Sequence, residues 1–338
     1  MAAWQGDEFG LIARFFRPLA AGTPGALGLT DDAAIVGVGA DEETVITTDA
    51  LVAGVHFLAD DPADLVARKA LRTNLSDLAA MGAAPLGYTL AAILPSPVDA
   101  DWLAAFSAGL AADQAEFGIG LLGGDTTTTP GPLTLSITAL GRIKRGRYLS
   151  RGGARPGDDV WVSGSIGDAW LGLQIVQDRM EAVDAGARAV LVGRYRLPVP
   201  RLALGQKLVG VATGALDVSD GLLADLGHLC DVSGVDATVA LDRVPLSAAA
   251  RRQVRKDQSL TLSLLAGGDD YELVFTAPPE AAPTVAAIAG ELGLAATRIG
   301  QTAGVADGKP RVRVIDVAGQ PVEAGNGGWQ HFRGDGRS

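Results

Sequence analysis

The sequence predicts a mixed α/β (α+β) fold in two domains, and three observations support this. Runs rich in Val, Ile and Thr, typical of strands, alternate with helix-like stretches along the chain. Short acidic motifs stand where many of these runs end or where a helix begins, which is where α/β proteins place ligands. A basic, glycine-rich segment over 142–156 interrupts the pattern. We therefore expect one domain over residues 1–145 and a second over 146–338.

The first half of the chain predicts several strands and two helices. One helix opens at Asp61-Pro62, with Asp as N-cap and Pro in the first helical position, and stops at Gly82. A second helix spans Asp99–Phe117. The predicted strands are Ala33–Val38, Thr44–Thr48, Gly87–Leu94, Ile119–Leu122 and Leu133–Ile143.

The second half repeats the alternation of strands and helices. Strands are predicted at Asp159–Ser163, Ala215–Val218 and Tyr271–Thr276. Helical stretches are predicted from Asp168 to about Val211, from Gly221 to about Cys230, and over Ala281–Leu292. The tail from Gly325 onward has the composition of an irregular segment.

The composition excludes several classes of protein. The formal net charge of -11 argues against non-specific nucleic-acid binding, which needs a basic surface. Cys230 is the only cysteine, so neither an internal disulfide nor a cysteine-based zinc site is possible. The chain shows neither a signal peptide nor an apolar run long enough to span a membrane. We expect a cytoplasmic protein that binds neither nucleic acid nor membrane.

Familiar nucleotide and hydrolase motifs do not explain the chain. Residues 118–123 match G-x-G-x-x-G, but a predicted helix precedes them and a predicted strand contains their Leu-Leu pair, the reverse of the dinucleotide-binding context. Gly308-Lys309-Pro310 lacks the spacing and the hydroxyl of a P-loop. Neither G-x-S-x-G nor H-E-x-x-H is present.

Six acidic motifs recur instead. Each places Asp beside Gly, Ser or Thr, small residues that let backbone and hydroxyl groups approach a ligand. Carboxylates and hydroxyls are hard oxygen donors that suit Mg²⁺, and carboxylates that converge need cations between them. Any one of these Asp residues alone is better explained as a cap or turn, but six together predict a site with several Mg²⁺ ions for a phosphate-rich ligand. The motifs are Asp31-Asp32, Thr47-Thr48-Asp49, Asn74-Leu75-Ser76-Asp77, Gly123-Gly124-Asp125-Thr126-Thr127, Asp217-Val218-Ser219-Asp220 and Gly267-Gly268-Asp269-Asp270.

Three of these motifs have a predicted geometry. Thr47-Thr48-Asp49 ends a predicted strand, so its hydroxyls and carboxylate are expected to reach outward together. Asn74 and Asp77 lie near one helical face among apolar neighbours, where a carboxylate needs a partner such as a cation. Asp217–Asp220 forms a strand-to-helix turn that offers helix N-terminal amides to phosphate.

Other residues leave two interpretations open. Gly164–Asp168 is either a phosphate-binding turn or an ordinary tight turn. Arg151 binds polyphosphate or is a solvated charge in a loop. His56 is a core or rim histidine on the sequence alone, Cys230 a core residue, and Trp329 an anchor of the terminus.

Taken together, these motifs resemble the thiamine-monophosphate kinase family, of the superfamily that includes aminoimidazole-ribonucleotide synthetase. The distinguishing pieces are Thr48–Phe57, with His56-Phe57 after the Thr-Asp pair, and the long helix with Asn74–Asp77. The resemblance implies a two-domain PurM-like fold. In that fold an N-terminal ATP- and Mg²⁺-binding domain forms a homodimer through a β-barrel, beside a C-terminal α/β domain.

The resemblance also implies roles for individual residues. It makes Asp49, Asp125 and Asp220 the catalytic group. ATP contacts are expected from Gly124, Asp125, Arg151 and Ser219, and substrate contacts from His56, Asp269 and Trp329. Asp269 stands where the family often has Glu. The expected Mg²⁺ ligands are Asp32, Thr47, Thr48, Asp49, Asp77, Asp125, Asp217 and Asp220.

The implied reaction is phosphorylation of thiamine monophosphate by ATP to give thiamine diphosphate. The acceptor phosphate has a second pKa near 6, so it is largely dianionic at pH 7 and needs no strong general base. Direct in-line transfer assisted by several Mg²⁺ ions follows. The alternatives are a sister ATP-dependent synthetase of the superfamily, a non-catalytic Mg-nucleotide-binding dimer, and a metal-dependent phosphohydrolase.

Overall fold

A computed structural model describes residues 8–30, 33–180 and 183–323 of the chain. The chain divides into two compact units. The first comprises residues 1–78 and 83–147, and the second comprises residues 79–82 and 148–338. Within the described ranges, every helix is too short or too polar to cross a membrane.

The first unit contains a four-stranded sheet in the order β1-β4-β2-β3. Strands β2 and β3 run parallel, and the other neighbours are antiparallel. Strands β1 and β3 therefore form the two edges of this sheet. The strands are β1 (Glu42–Val52), β2 (Ala84–Pro95), β3 (Leu121–Thr129) and β4 (Thr134–Lys144).

Two long helices and a short helical N-terminal segment complete the first unit. The carboxylate of Asp99 caps the third helix by accepting the Asp101 N–H, and left-handed Gly118 ends it. The N-terminal segment continues from the first helix through a π-helical turn and a 3₁₀ turn to Ala20, and a further 3₁₀ segment spans Pro24–Leu29. The helices are α1 (Glu8–Leu11), α2 (Ala63–Ala80) and α3 (Ala100–Phe117).

A buried ion cluster joins α2 to α3. Asp113 of α3 is fully buried, and both Arg68 and Arg72 of α2 donate to its carboxylate at 2.7–2.8 Å. Arg72 is itself only 2% exposed, so the pair is withdrawn from water. Because an unpaired charge at this depth would be strongly unfavourable, the cluster fixes the position of α2 along α3.

The second unit contains a seven-stranded sheet in the order β11-β10-β7-β9-β5-β8-β6. Its neighbours are antiparallel except for β10 and β7. The central strands are almost completely buried, as Val160, Val162 and Val274 show. The strands are β5 (Asp159–Ser163), β6 (Gly214–Asp217), β7 (Val235–Ala240), β8 (Leu273–Ala277), β9 (Ala296–Gly304), β10 (Val312–Ile315) and β11 (Pro321–Val322).

Seven helices lie in the described part of the second unit. Apolar residues of α4, α5, α7 and α9 join Val160, Val162 and Val274 in one buried cluster. The helices are α4 (Asp168–Val176), α5 (Ala185–Arg196), α6 (Leu202–Leu208), α7 (Leu222–Ser233), α8 (Ala248–Lys256), α9 (Leu260–Ala266) and α10 (Ala282–Leu292).

Two expectations about strands were wrong. The segment Ala33–Val38 forms no strand: its residues are mostly exposed and its Ile35 N–H donates to the Gly25 carbonyl oxygen. A run of β-branched residues needs a neighbouring strand, and this segment pairs with none of the described strands. Strand β3 also continues to Thr129, so Gly123-Gly124-Asp125 lies within it and not after it.

Candidate active site

An acidic pair lies between β1 and α2 in the first unit. Side chains alternate along β1, so Thr47 and Asp49 share the half-buried face that meets α2. Thr73 and Asp77 are one helical turn apart on α2 and face the strand. The Thr47 hydroxyl donates to the Asp77 carboxylate at 2.5 Å, and the Thr73 side chain hydrogen-bonds Asp49. Two carboxylates and two hydroxyls are thereby brought together.

The electrostatics of this pair are unfavourable without a cation. Burial first, and then the negative charge of Asp77, raise the pKa of Asp49 to about 6. The hydrogen bond from Thr73 offsets only part of this shift. Carboxylate and hydroxyl oxygens are the donors that Mg²⁺ prefers. The observed donor set therefore fits a hard divalent cation.

Thr48 lies on the opposite face of β1 from Thr47 and Asp49. Its hydroxyl donates to the Ile137 carbonyl and accepts from the Thr138 hydroxyl, both on β4. The expectation that all three side chains reach outward together from a strand end was wrong, because β1 continues to Val52 and successive side chains of a strand alternate.

Asp125 is on β3, at the other edge of the same sheet. The register aligns Asp49 with Ile137, Ile137 with Leu90, and Leu90 with Gly124. Three strand spacings of about 4.8 Å therefore separate Asp49 from the Asp125 region, about 14 Å in total. A single copy of the first unit does not place Asp125 beside the Asp49–Asp77 pair.

Gly124 and Asp125 border a cleft of about 690 Å³ within the first unit. Its walls come from β2, β3 and the N-terminal helical segment, including Phe16 and Arg17. A side chain at Gly124 would overlap the Leu90 carbonyl oxygen, so only glycine fits this position of β3.

His56 sits in the tight turn that follows β1. Its Nδ1 accepts the Val52 N–H at 3.0 Å, which leaves the ring hydrogen of the neutral imidazole on Nε2. The buried Lys69 donates from Nζ to the His56 carbonyl oxygen at 3.0 Å. Hydrogen bonds within the protein thus fix both the ring and the backbone carbonyl of His56.

In the second unit, two of the acidic motifs pack directly against each other. Asp217 ends β6, and its side chain is buried. The Asp269 N–H donates to the Ser219 carbonyl, and the Tyr271 N–H donates to the Val218 carbonyl, each at 2.8 Å. The turn 217–220 and the loop 267–271 therefore form one structure. The backbones of the two motifs are adjacent, and the convergence of their carboxylates on a metal ion stays a prediction.

The loop 267–271 has an unusual backbone. Asp269 and Tyr271 both adopt left-handed conformations, with φ of 71° and 50°. A side chain at Gly268 would overlap the Ser219 carbonyl oxygen, so the loop lies tightly on the turn. Left-handed non-glycine residues are strained and persist where the surroundings determine them, often at functional sites.

Asp270 anchors this loop to the start of α4. It is almost fully buried and accepts the N–H groups of Gly167 and Ala169. Burial raises its pKa well above the usual range of a carboxyl. The two interpretations of Gly164–Asp168 are thereby separated: amides at the start of α4 bind an internal carboxylate, as in a structural turn.

A buried ion cluster secures the far end of the loop. Glu272 is completely buried and accepts hydrogen bonds from Arg194, Arg201 and Ser163. The two guanidinium groups come from α5 and from just before α6. Glu272 therefore ties the start of β8 to two helices.

Arg151 is exposed, but its backbone is held. The Ser233 hydroxyl donates to the Arg151 carbonyl oxygen at 2.9 Å, and the Gly153 N–H donates back to the Ser233 oxygen. The guanidinium thus extends from a fixed loop. Asp31-Asp32 and Trp329 lie outside the described residues.

The expected gathering of all these ligands into one metal cage stays a prediction. Among the described residues, no three acidic, histidine or cysteine side chains come close enough together to hold a metal ion. The structure instead shows the Asp49–Asp77 pair with its hydroxyls in the first unit. In the second unit it shows the paired motifs around Asp217, Asp220 and Asp269.

Sequence reasoning missed several residues that shape these sites. Thr73 contacts Asp49, and it could have been found one turn before Asp77 on the same helical face. Asp225 accepts amides of the 219–221 turn, and its place in the first turn of α7 was the available signal. The partners of Glu272 gave no local signal, because Arg201 is 71 residues away in the sequence.

Comparison with known proteins gives the family. The model for the N-terminal domain of AIR synthase related proteins matches residues 30–143, and the model for their C-terminal domain matches residues 155–313. A thiamine-monophosphate kinase of Caulobacter vibrioides is 47% identical over 303 residues, which cover 89% of this chain and 85% of the relative. The enzyme of that name from Escherichia coli K12 is 43% identical over 327 residues, covering 96% and 98%.

Solved structures agree with these matches. Thiamine-monophosphate kinase from Stenotrophomonas maltophilia K279a is 42% identical and superposes with a TM-score of 0.81, covering 90% of this chain and 96% of that one. AaThiL complexed with AMPPCP and TMP is 30% identical with a TM-score of 0.76, covering 96% and 97%. The expected two-domain PurM-like fold is confirmed. The chain belongs to the AIR synthase related family and, within it, to the thiamine-monophosphate kinases.

Proposed function

We propose that this protein transfers the terminal phosphoryl group of ATP to thiamine monophosphate, producing ADP and thiamine diphosphate. The observation that carries the proposal is the likeness, over 96% of the chain, to a relative solved with AMPPCP and TMP. The half-buried Asp49–Asp77 pair supports it, because phosphoryl transfer between two polyanions needs cations and this pair has the donors to hold them.

The proposed chemistry is direct in-line transfer. Mg²⁺ bound at the acidic motifs would neutralise the charge that develops on the transferred phosphoryl group. Asp49, Asp125 and Asp220 are the proposed catalytic carboxylates that hold these ions in place. The further proposed ligands are Asp32, Thr47, Asp77 and Asp217; Thr48, on the opposite face of β1, would hold a separate ion. The acceptor phosphate is already dianionic near pH 7, so no side chain has to remove a proton from it.

The two substrates are assigned to different groups. Gly124, Asp125, Arg151 and Ser219 are proposed to contact ATP, with Asp125 beside the cleft in the first unit. His56 is proposed to donate from Nε2–H to the thiamine phosphate, since its Nδ1 is already an acceptor.

Two side chains, one acidic and one aromatic, are proposed to contact the rings of thiamine monophosphate. The Asp269 carboxylate would attract the cationic thiazolium ring. Trp329 would contact the rings through its indole.

We also propose that the protein acts as a homodimer through the first unit. Among the described strands, β1 and β3 have a neighbour on one side only, and β1 presents an exposed face on which Ile46 is 66% exposed. A second copy that lays its β3 edge beside β1 would close a barrel and remove both edges. Such an arrangement would also bring Asp125 of one copy near Asp49 of the other.

The reaction can be tested directly with purified protein. We expect thiamine diphosphate to form from ATP, Mg²⁺ and thiamine monophosphate, and ATP consumption to require the acceptor. Asp49→Asn and Asp220→Asn should each lower kcat by orders of magnitude with the fold intact. Asp99→Asn is the matched control, because Asn caps α3 as well as Asp does. ATP hydrolysis without acceptor, or normal turnover in both variants, would refute the proposal.

The assignment of His56 has its own test. His56→Ala should mainly raise the KM for thiamine monophosphate and leave the KM for ATP nearly unchanged. An unchanged KM for thiamine monophosphate would remove His56 from the substrate site.

A further inference from the structure

Asp225 occupies the amides at the start of α7. Its side chain turns back toward the helix start, and one carboxylate oxygen accepts the N–H groups of Asp220 and Gly221, each at 3.0 Å. The Ser219 N–H also hydrogen-bonds this carboxylate. Asp225 is only 3% exposed. Three consecutive amides of the turn therefore converge on one buried side chain.

This arrangement changes an expectation drawn from the sequence. The turn was expected to offer its amides to phosphate, but the amides of Asp220 and Gly221 already have an internal acceptor. The anion at this helix start is therefore a carboxylate of the protein itself. A bound nucleotide would meet the turn through the side chains of Ser219 and Asp220.

The turn is also held from its other side. The carbonyl groups of Val218 and Ser219 accept N–H groups from the loop 267–271, and Gly221 adopts a φ of 123° against the Ala266 carbonyl oxygen. Asp225 on one side and this loop on the other leave the backbone of Ser219–Gly221 little freedom. The directions of the Ser219 and Asp220 side chains follow from that backbone.

We propose that Asp225 is a positioning residue, which fixes the Ser219–Gly221 backbone so that the Ser219 hydroxyl and the Asp220 carboxylate meet the metal–nucleotide complex. This inference rests on the proposed function, since it assumes that Ser219 and Asp220 contact that complex. The location of the Asp225 acceptor oxygen determines where the Ser219 and Asp220 side chains lie, because that oxygen accepts the N–H groups of the turn.

Two substitutions separate the location of the oxygen from its charge. Asp225→Asn keeps an acceptor oxygen at the same place and removes the charge. Asp225→Glu keeps the charge and moves the oxygen by one methylene. We expect Asp225→Glu to weaken binding of AMPPCP with Mg²⁺ at least tenfold and to lower kcat by about a hundredfold, the usual effect of a displacement near 1 Å. Asp225→Asn should stay within about threefold of the wild type in both.

Binding is measured by calorimetry and turnover by the thiamine diphosphate assay, with melting temperatures recorded alongside. Asp236→Asn is the control: Asp236 is also buried and accepts two backbone amides, those of Ala306 and Arg311, but it lies on β7, four strands from β6. We expect it to lower the melting temperature without changing nucleotide affinity.

The outcomes are distinct. Wild-type affinity in Asp225→Glu, or a larger loss in Asp225→Asn than in Asp225→Glu, would overturn the positioning role. A wild-type protein that binds no Mg–AMPPCP and makes no thiamine diphosphate would instead refute the proposed function.

Discussion

Replacing Asp49 by asparagine should stabilise the metal-free protein while it abolishes turnover. Asp49 is packed beside Asp77, and burial together with the charge of Asp77 raises its pKa from 3.8 to about 6. Ionising Asp49 in the folded protein is therefore unfavourable by about 3 kcal/mol, at about 1.4 kcal/mol per pKa unit. Asparagine has the same shape and carries no charge, so this penalty disappears. Because part of the pair is open to solvent, about 3 kcal/mol is an upper value.

The pH dependence follows from the sign of the shift. An acid whose pKa is higher in the folded state binds more protons when folded, so stability falls as pH rises from about 4 through about 6 and is level above that. The Asp49→Asn variant lacks this loss. Its advantage over the wild type should therefore be largest near pH 8 and roughly half as large at pH 5.

Thermal unfolding in the presence of a chelator, at pH 5 and pH 8, measures this difference. A gain of about 2–3 kcal/mol corresponds to a rise of several degrees in the melting temperature of a unit of this size. Asp125→Asn is the matched control, since Asp125 is an exposed carboxylate on β3, and its melting temperature should not change. A variant Asp49→Asn that melts below the wild type at pH 8 would refute the account of the acidic pair.

Three further predictions concern other parts of the molecule. Glu272→Gln should destabilise the protein by about 3–5 kcal/mol in chemical denaturation, because it removes the fully buried carboxylate that two half-buried arginines share as their counter-ion. Gly268→Ala should lower turnover at least tenfold, because the new methyl group would overlap the Ser219 carbonyl and displace the turn. Mg²⁺ at a hundred times its dissociation constant should stabilise the wild type by about 2.7 kcal/mol, and a chelator should reverse this.

Each of these predictions has a control and a contradicting result. Glu291→Gln breaks an exposed ion pair with Lys207 and should change the free energy of unfolding by less than about 1 kcal/mol. If Glu272→Gln lowers the free energy of unfolding by no more than this control does, the ion cluster around Glu272 does not stabilise the fold. Gly227→Ala adds a methyl group in open space on α7 and should keep full activity. Full activity in Gly268→Ala as well would contradict the prediction. Equal stabilisation of Asp49→Asn and the wild type by Mg²⁺ would remove Asp49 from the metal site.

Local signals were sufficient for much of the fold. The helix predicted over Asp99–Phe117 and the strand predicted over Asp159–Ser163 appear in the structure where the sequence places them. Strands β7, β9 and β10 were missed, because their sequences alternate weakly and they form by pairing with neighbours on both sides. Ala33–Val38 shows the opposite case, in which a favourable composition finds no neighbour among the described strands.

For the candidate site, too, some features had a local signal in the sequence and others depend on how distant segments pair. Small residues beside each Asp are a local pattern, and two of the motifs that share it, Asp217–Asp220 and Gly267–Asp270, are adjacent through their backbones. Where a strand ends depends on distant pairing, and the continuation of β1 to Val52 and of β3 to Thr129 became visible only in three dimensions. The acceptor of the α7 amides was a local signal that the sequence reading overlooked, because Asp225 is only four residues from Gly221.

The internal carboxylates of Asp225 and Asp270 have a consequence for inhibition. Each fills the helix start that sulfate or inorganic phosphate would otherwise enter, at α7 and α4 respectively. Simple anions in a buffer should therefore compete poorly with nucleotide at these two positions. The enzyme would tolerate phosphate-rich surroundings and still discriminate in favour of a ligand that brings its own divalent counter-ions.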